Sequence, residues 1–476
     1  MARISRRKFM KRSLAAAGAT FVVSHASRRV LGANDTIHVA VTGCGGRGGH
    51  HLGQFLKADG CEVTWCIDPD ERRAGGAAEK AKKAQGKAAR TSADLRKALD
   101  DKDLDAITCA TCNHWHTLQT IWAVQAGKDV YVEKPVTHRV HEGRVCTDLV
   151  AKSDRIVQVG MQSRSSGHWA RMAELTRSGK LGKLKVSHGI ASKPRGGIGH
   201  TKPEAPPEWL DWNLWVGPAP MQKYHDKLVH YNWHWFWDFG NGEIGNQGVH
   251  QMDIARWALA DATWPTYVMS VGGRIKWDDM GQTPNVQLTV FRYGDGRLLC
   301  FENCNLVSGK TRRVTDDFVY EKGKVVGGGK FRPAEGSDLE QIPDVDVEMG
   351  PGGGHFGNFI AAMRSRNKDD LNAPYEEGRL SSGICHLGEI SWWLGKERTW
   401  SEVKDPFEDD YANEQLQRIN HHLTTNQGMD LSKCTMQVGQ ALTFDPKTER
   451  FVDAPSAANQ MLRRPPRPPF DVPDHA

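Results

Sequence analysis

A lysine held between an acid and a proline, Glu133-Lys134-Pro135, and a histidine at the head of a helical pattern, His250, are the side chains in this sequence best suited to polar chemistry. Lys134 closes an apolar strand pattern, and ligands of open parallel sheets gather at the carboxyl ends of strands. An ammonium placed there can hydrogen-bond a substrate oxygen and stabilise negative charge on it. His250 lies in Gly242-Glu243-Ile244-Gly245-Asn246-Gln247-Gly248-Val249-His250-Gln251-Met252-Asp253 and can take or give a proton near neutral pH. Taken singly, each has a plainer reading, a solvated surface lysine and a histidine that only starts a helix. It is the pair that points to chemistry.

The elements that must position them begin with IHVAVTGCGGRG, residues 37–48. Ile37, Val39 and Val41 alternate in a short apolar strand, and Gly43, Gly45 and Gly48 follow in the spacing G-x-G-x-x-G. The first glycine permits a sharp turn. The second leaves room for a pyrophosphate against backbone, and the third lets the next helix pack close to the sheet. That helix turns its free N–H groups and positive dipole end toward phosphate. Leu52, Phe55 and Leu56 give it an apolar stripe, and a second strand, CEVTWCID, ends in Asp68, 25 residues beyond Gly43. A carboxylate in that place hydrogen-bonds an adenine ribose and disfavours a 2'-phosphate, so the expected cofactor is NAD and not NADP. Arg72 and Arg73, close by in sequence, argue in the opposite direction.

Ser5-Arg6-Arg7-Lys8-Phe9-Met10-Lys11 precedes a mildly apolar run from Leu14 to Val23, the layout of a twin-arginine export signal. The run is far shorter than the ~20 residues a bilayer requires, so no membrane span is expected. The expectation is export in folded form by the twin-arginine machinery to the periplasm or another extracytoplasmic space, with cleavage after Ala26 or Ala33. Residues 1–26 hold six cations and no acid, which accounts for the whole formal charge of +6. The remainder is neutral, and no basic surface for nucleic acid is implied. At 476 residues, 39% hydrophobic and 25% charged, the chain has room for two globular cores. Its ten cysteines would suggest disulfides in an exported protein, but one folded before export reads better with small buried thiols. Cys109-x-x-Cys112 with His114 and His116 lacks the second ligand pair of a specific zinc site, so no metal is expected.

Strand and helix patterns alternate over residues 34–160, after a signal and pre-domain segment at 1–33. This predicts a doubly wound parallel sheet, a Rossmann domain. Over 161–400 the strands lengthen and hairpin signals appear, as in NVQLTVFRYGDGRLLCFENCNL. They predict an α+β domain with a large, open, mainly antiparallel sheet. Trp209, Trp212, Trp215, Trp233, Trp235 and Trp237 crowd one stretch. Their rings suit stacking on sugars, with His234 or Tyr231 as polar contacts, and suit core packing equally well. The glycine-rich residues 325–354 read as loops. Residues 401–476 read as an extension whose RRPPRPPFDVP lies as an extended arm. An open sheet presents a face to be covered by a second copy, by terminal helices or by this arm; a homo-oligomer is the expectation.

AGKDVYVEKP and GEIGNQGVHQMDIARW, together with the glycine loop, TCNHWH and VQVGMQSR in the same order, resemble the Gfo/Idh/MocA family across roughly Thr36 to Leu394. The resemblance implies a Rossmann domain followed by an α/β domain with a large open sheet, NAD(P) between them, and sugars or cyclitols as usual substrates. It implies Lys134 as the family's EKP lysine and His250 as its catalytic histidine. The cofactor would be held by Gly43, Gly45, Gly46, Arg47 and Gly48, by Asp68, by Asn113, His114, Trp115 and His116, and by Glu133, Lys134 and Gln162. The substrate would meet Arg164, Trp233, His234, Asn246, His250 and Asp253. Where many members carry an aspartate four residues before the histidine, this chain has Asn246, which can orient a group but cannot form a carboxylate–histidine pair.

The chemistry so implied is hydride transfer from a carbinol carbon of a sugar to the nicotinamide. His250 would take the hydroxyl proton, Lys134 would stabilise the developing oxyanion, and Asp253 would hold His250 or a sugar hydroxyl. Free NAD is scarce outside the cytoplasm, so an exported enzyme is expected to keep one cofactor bound and return it to its starting redox state in each cycle. Coupled oxidation and reduction of two sugars ranks first. An NAD-dependent glycosidase, working by transient oxidation, elimination, water addition and reduction, ranks second; it needs a further base, for which Tyr231, His234 and Asp238 are candidates by nearness in the chain. The rival of another class is a non-catalytic carbohydrate-binding protein on the same fold.

Overall fold

The computed structural model describes residues 35–336 and 338–474. The twin-arginine sequence and both cleavage positions lie outside the described residues. Six short apolar strands, β1 (Ile37–Thr42), β2 (Cys61–Ile67), β3 (Arg90–Ser92), β4 (Ala106–Cys109), β5 (Asp129–Val132) and β6 (Val157–Val159), pair in parallel in the order β3-β2-β1-β4-β5-β6. The crossovers run through α1 (Gly46–Phe55), α2 (Glu71–Gln85), a single turn α3 (Arg96–Leu99), α4 (Asn113–Gln125) and α5 (Val140–Lys152). The strand order reverses between β1 and β4, so the connections leave their carboxyl ends in opposite directions and open a crevice there. Local chemistry sets the ends of α2: the Asp70 side chain accepts the Arg72 N–H, and Gly86 closes the helix at φ +76°.

The second half is built on one sheet of eleven strands. After α6 (Gly167–Ser178) come β7 (Leu184–Ser192), α7 (Trp212–Val216), α8 (Gly242–Asn246) and α9 (Gly248–Ala258). Then follow β8 (Tyr267–Gly273), β9 (Val286–Arg292), β10 (Leu298–Cys304), β11 (Arg313–Tyr320), β12 (Gly323–Val326) and β13 (Lys330–Pro333). The chain ends with α10 (Gly354–Ser365), α11 (Tyr375–Trp393), β14 (Lys396–Thr399), α12 (Asp410–His421), β15 (Thr435–Val438), β16 (Leu442–Asp445), β17 (Arg450–Val452) and α13 (Ser456–Met461). The order is β13-β12-β11-β7-β10-β9-β8-β15-β14, with β16 bridging β8 and β17. β7 and β10 are parallel and the other pairs are antiparallel, as the hairpin signals required.

Side-chain alternation makes both faces of this sheet apolar. Phe291, Leu299 and Phe301 pack with Met252, Ala255 and Leu387 from α9 and α11. Leu288, Val290, Leu298 and Cys300 point the other way, where they meet Ala412, Leu416 and Ile419 of α12. α12, in the segment read as an extension, thus packs on this second face, which is the covering by terminal helices that the sequence offered beside a second copy.

The structure differs from the sequence reading in two further places. The loop expected at 325–354 contains the β12–β13 hairpin, whose turn uses Gly327 and Gly328 at φ +60° and +65°. Residues 401–476, read as an extension, place β15, β16 and β17 on the main sheet; only the segment after α13 runs as an arm, and its Phe470 is buried against Trp115. All ten cysteines carry free thiols, six of them buried. Among the described residues no helix is long and apolar enough to cross a membrane.

Candidate active site between the two sheets

The glycine loop leaves β1 at Gly43, where φ is +79° and a Cβ would lie 2.6 Å from the Ala110 carbonyl oxygen. Gly48 is tighter still, since a Cβ there would sit 1.5 Å from the Gly43 oxygen. Each is glycine because backbone already occupies the space a side chain would need. Gly45 caps α1 with no side-chain hydrogen bond, and the first turn holds no acid, so the leading N–H groups of that helix remain available to an anionic ligand. Asp68 closes β2 beside them. Its carboxylate accepts the Cys44 N–H at 2.8 Å and the Asp70 N–H at 2.9 Å, while burial pushes its pKa up.

These groups line a cleft of about 270 Å³ that runs along the carboxyl edge of the first sheet. Gly43, Gly45, Gly46, Arg47 and Asp68 form one end; Asn113, Trp115, His116, Glu133, Lys134, Trp233 and Asn246 continue along it. Of the two arginines that spoke for a 2'-phosphate, Arg72 lies over the Trp209 ring at 3.3 Å and pairs with Asp70. Arg73 reaches the cleft, where its guanidinium lies against Gly45.

Farther along, Glu133 is buried under Arg47 and His51. Arg47 Nε donates to Oε1 at 2.7 Å and the His51 ring stands 3.0 Å from the same atom. Burial would raise the Glu133 pKa, but the His51 hydrogen bond and the Arg47 charge outweigh it and hold the acid well below the usual range. Lys134 Nζ, half-buried, donates at 2.8 Å to the main-chain oxygen of Asn246. That oxygen ends α8, and His250 lies on the first turn of α9 just beyond. Burial first, then the neighbouring Lys134 charge, push the His250 pKa down to about 3, so its ring is neutral and able to accept a proton. Burial also lowers the Lys134 pKa.

Several expected site residues are engaged by the protein itself. His114 lies outside the cleft lining, its ring between the carbonyl oxygens of Phe239 and Trp215. His116 is held between those of Pro135 and Thr111, and Trp115 Nε1 donates to Leu214 oxygen at 3.0 Å. These bonds fasten α4 to the neighbouring segments. Gly48 and Gln162 do not line the cleft. Arg164 and Asp253 bind each other: Arg164 Nε is 2.9 Å from both carboxylate oxygens, Ser381 Oγ donates to Asp253 at 2.7 Å, and all are buried. The expectation that Asp253 holds His250 or a sugar hydroxyl therefore gives way to an ion pair that joins the segment after β6 to α9 and α11. His234 is buried outside the lining, its Nδ1 on the Tyr231 carbonyl oxygen, and burial lowers its pKa to about 3. The tryptophans divide: Trp233 and Trp215 line the cleft, Trp235 sits in the core, and Trp237 stacks on Trp393.

The structure adds residues with no motif of their own. Lys193 and Arg195 follow β7, and Arg195 is paired through Nε and NH2 with Glu243 at 3.2 and 3.0 Å. Arg195 NH1 also donates to the Tyr231 hydroxyl at 2.8 Å. Glu243 stood in plain view in the motif around His250, but nothing local marked its partner 48 residues earlier.

Comparison with known proteins agrees with this fold. Residues 37–161 match the model described as "Oxidoreductase family, NAD-binding Rossmann fold", and residues 194–426 match "Oxidoreductase family, C-terminal alpha/beta domain". Inositol 2-dehydrogenase 2 of Saccharopolyspora erythraea is 28% identical over 229 residues, which are 47% of this chain and 54% of that protein. Inositol 2-dehydrogenase of Rubrobacter xylanophilus is 24% identical over 301 residues, 62% of this chain and 72% of that protein. The chain thus spans about half the length of the first of these relatives. In fold it is similar to the WlbA dehydrogenase of Bordetella pertussis, solved with NADH and UDP-GlcNAcA, with a TM-score of 0.55 at 18% identity over 73% of this chain and 94% of that one. With both halves matched in order, this chain belongs to the Gfo/Idh/MocA family of oxidoreductases, and its first sheet is the family's NAD-binding Rossmann fold.

Proposed function

We propose that the protein oxidises a carbinol carbon of a sugar, cyclitol or related derivative. The observation that carries this reading is the bond from Lys134 to the Asn246 carbonyl, which sets an ammonium from the cofactor sheet beside the helix that bears His250. NAD, which the uncapped start of α1, the Gly43 turn and Asp68 suit, supplies the hydride acceptor when bound. His250, neutral and half-buried, accepts the proton of the carbinol hydroxyl. Lys134 donates a hydrogen bond to the same oxygen as negative charge grows on it, and its positive charge favours that step most in a site shielded from water. Trp233 and Tyr231 line the cleft, and aromatic rings suit the apolar side of a sugar. The relatives named inositol 2-dehydrogenases support a polyhydroxylated ring as substrate.

The reading includes two finer points. An export signal at residues 5–11 would place the enzyme outside the cytoplasm, where a cofactor kept bound and recycled is the workable arrangement. The net reaction is then coupled oxidation and reduction of two sugars. The test is to incubate the purified protein, without added NAD, with sugars singly, with sugar and keto-sugar pairs, and with aryl glycosides. Oxidised sugar formed only with a reducible partner supports the reading. Release of the aryl group with solvent deuterium at C2 would make the protein a glycosidase, and turnover that depends on exchanging external NAD would remove the closed cycle.

A further inference from the structure

The charges around Lys134 and His250 do not balance. Arg47, Lys134, Lys193 and Arg195 act on these two groups, against the carboxylates of Glu133 and Glu243. Two of the four cations are matched: Arg47 is bonded to Glu133 and Arg195 to Glu243. The other two have neutral partners. Lys134 donates to a main-chain carbonyl, and Lys193 Nζ stands 3.4 Å from the side-chain oxygen of Gln247. Gln247 lies between Asn246 and the helix of His250, so both unmatched ammonium groups converge on the α8–α9 junction from opposite domains.

Lys193 is held there by its backbone. Asn305 Nδ2 donates to the Lys193 carbonyl at 3.0 Å, and the Arg195 N–H donates to the Asn305 carbonyl at 3.2 Å, which ties the end of β7 to the end of β10. The guanidinium of Arg195 beside it is braced by Glu243 and Tyr231. Burial is the main influence that lowers the Lys193 pKa, and the Arg195 charge adds to it, so a charged Lys193 is not at its best in the bare site. Arg47 and Lys134 line the cleft, and Lys193 and Arg195 stand behind Asn246 on its far side. An excess of two positive charges among partly desolvated groups is unfavourable unless a ligand offsets it.

We infer that the substrate carries an anionic substituent, a carboxylate or a phosphate, bound by Lys193 with Arg195 beside it, while its carbinol faces Lys134 and His250. This rests on the reading of the site as a sugar oxidoreductase and narrows its substrate class to acidic sugars. Sugars bearing an amine are disfavoured by the same charges.

The test measures binding to the NAD-loaded protein by calorimetry, with hydride transfer followed separately. The probes are D-glucuronate and D-galacturonate, D-glucose 6-phosphate, the neutral D-glucose and D-galactose, and D-glucosamine. At least one acid is expected to bind about tenfold or more tighter than its neutral parent, with glucosamine weakest and the preference shrinking as salt is added. Lys193→Met, which keeps the apolar stem, is expected to remove most of that preference, and Lys193→Arg to restore it. A better result with uronates than with the 6-phosphate marks the substituent as a carboxylate, and the reverse marks it as a phosphate. Neutral sugars binding as tightly as acids, no binding by any acid, or an acid preference unchanged in Lys193→Met would overturn the inference. Lys193-dependent binding of an acid without hydride transfer would instead sink the oxidoreductase reading and leave the anion site standing. Rapid oxidation of neutral sugars, untouched by Lys193→Met, would do the opposite.

Discussion

Lys134 Nζ donates a 2.8 Å hydrogen bond to the carbonyl oxygen of Asn246, four residues before His250. The bond crosses from the end of one sheet to a helix lying on the other, and it brings the Lys134 ammonium to the segment that leads into the helix of His250. Asn246 brings no carboxylate, and the charges acting on His250 are those of Lys134, Arg47 and Lys193 against Glu133 alone.

Replacement of either group should abolish chemistry while leaving the fold intact. Lys134→Met and His250→Gln are each expected to lower hydride transfer by a factor of ~10² to 10⁴, with melting temperature nearly unchanged, because neither side chain anchors the core. Stopped-flow absorbance of the reduced nicotinamide and a thermal melt read the two quantities separately. Activity within about tenfold of the parent would place the site elsewhere.

Asn246→Asp restores a carboxylate near the histidine. A negative charge there favours protonated His250, which sits at about 3 under burial and the Lys134 charge, and so raises its pKa. The proposed reaction needs His250 unprotonated, so the acid limb of the pH–rate profile should move to higher pH in the variant. A limb that stays put or moves lower would mean that His250 is not the base.

Gly48→Ala should damage the cofactor site through backbone alone. A Cβ 1.5 Å from the Gly43 oxygen forces the loop and α1 apart, with an expected loss of ~1–3 kcal/mol in stability and weaker NAD binding. Gly49→Ala, whose nearest neighbour would be 3.9 Å away, is the matched control and should be tolerated. Denaturant midpoints and NAD titrations of the two variants give the comparison.

Acid should unfold the protein through histidines that are neutral when folded. His114, His234, His250 and His386 are each held at about 3, burial being the main cause. Unfolded, they take up protons from about pH 6.5 downward, so the unfolded state binds more protons across that window. Stability is therefore expected to fall as pH drops from about 6.5 to 3, by up to ~1.4 kcal/mol per pH unit for each histidine. Denaturant melts at several pH values, compared with His386→Gln, test the slope.

Glu389 works in the other direction. Burial raises its pKa to about 8; one oxygen accepts from Asn241 Nδ2 at 3.2 Å and the other has no partner. The folded state keeps a proton that the unfolded chain releases above about pH 4.3, so stability declines as pH rises through the window up to 8. Glu389→Gln should flatten that decline by about 1.4 kcal/mol per pH unit, measured in the same melts.

The sequence by itself determined the parts of this protein that local spacing controls. A strand, a sharp turn and a helix that must pack against its own loop leave glycine at 43 and 48, and an acid at the end of the next strand completes the pattern at Asp68. The alternating segments of β9 and β10, joined by the short turn at Gly294-Asp295-Gly296, likewise announced an antiparallel pair, because a tight turn returns the chain beside itself. Tertiary structure decided which charged side chains meet. Arg164 and Asp253, both expected at the substrate, neutralise one another across 89 residues, whereas Lys193, with no motif, reaches Gln247 at the head of the His250 helix because β7 ends against β10. It also decided what covers the open sheet: the apolar stripe of α12 lies in the segment read as an extension, yet it fills the second face of the sheet. Periodicity and loop geometry depend on the nearest few residues and can be read along the chain, while charge pairing and burial depend on which distant segments desolvate each other, which is fixed only when the two sheets pack together.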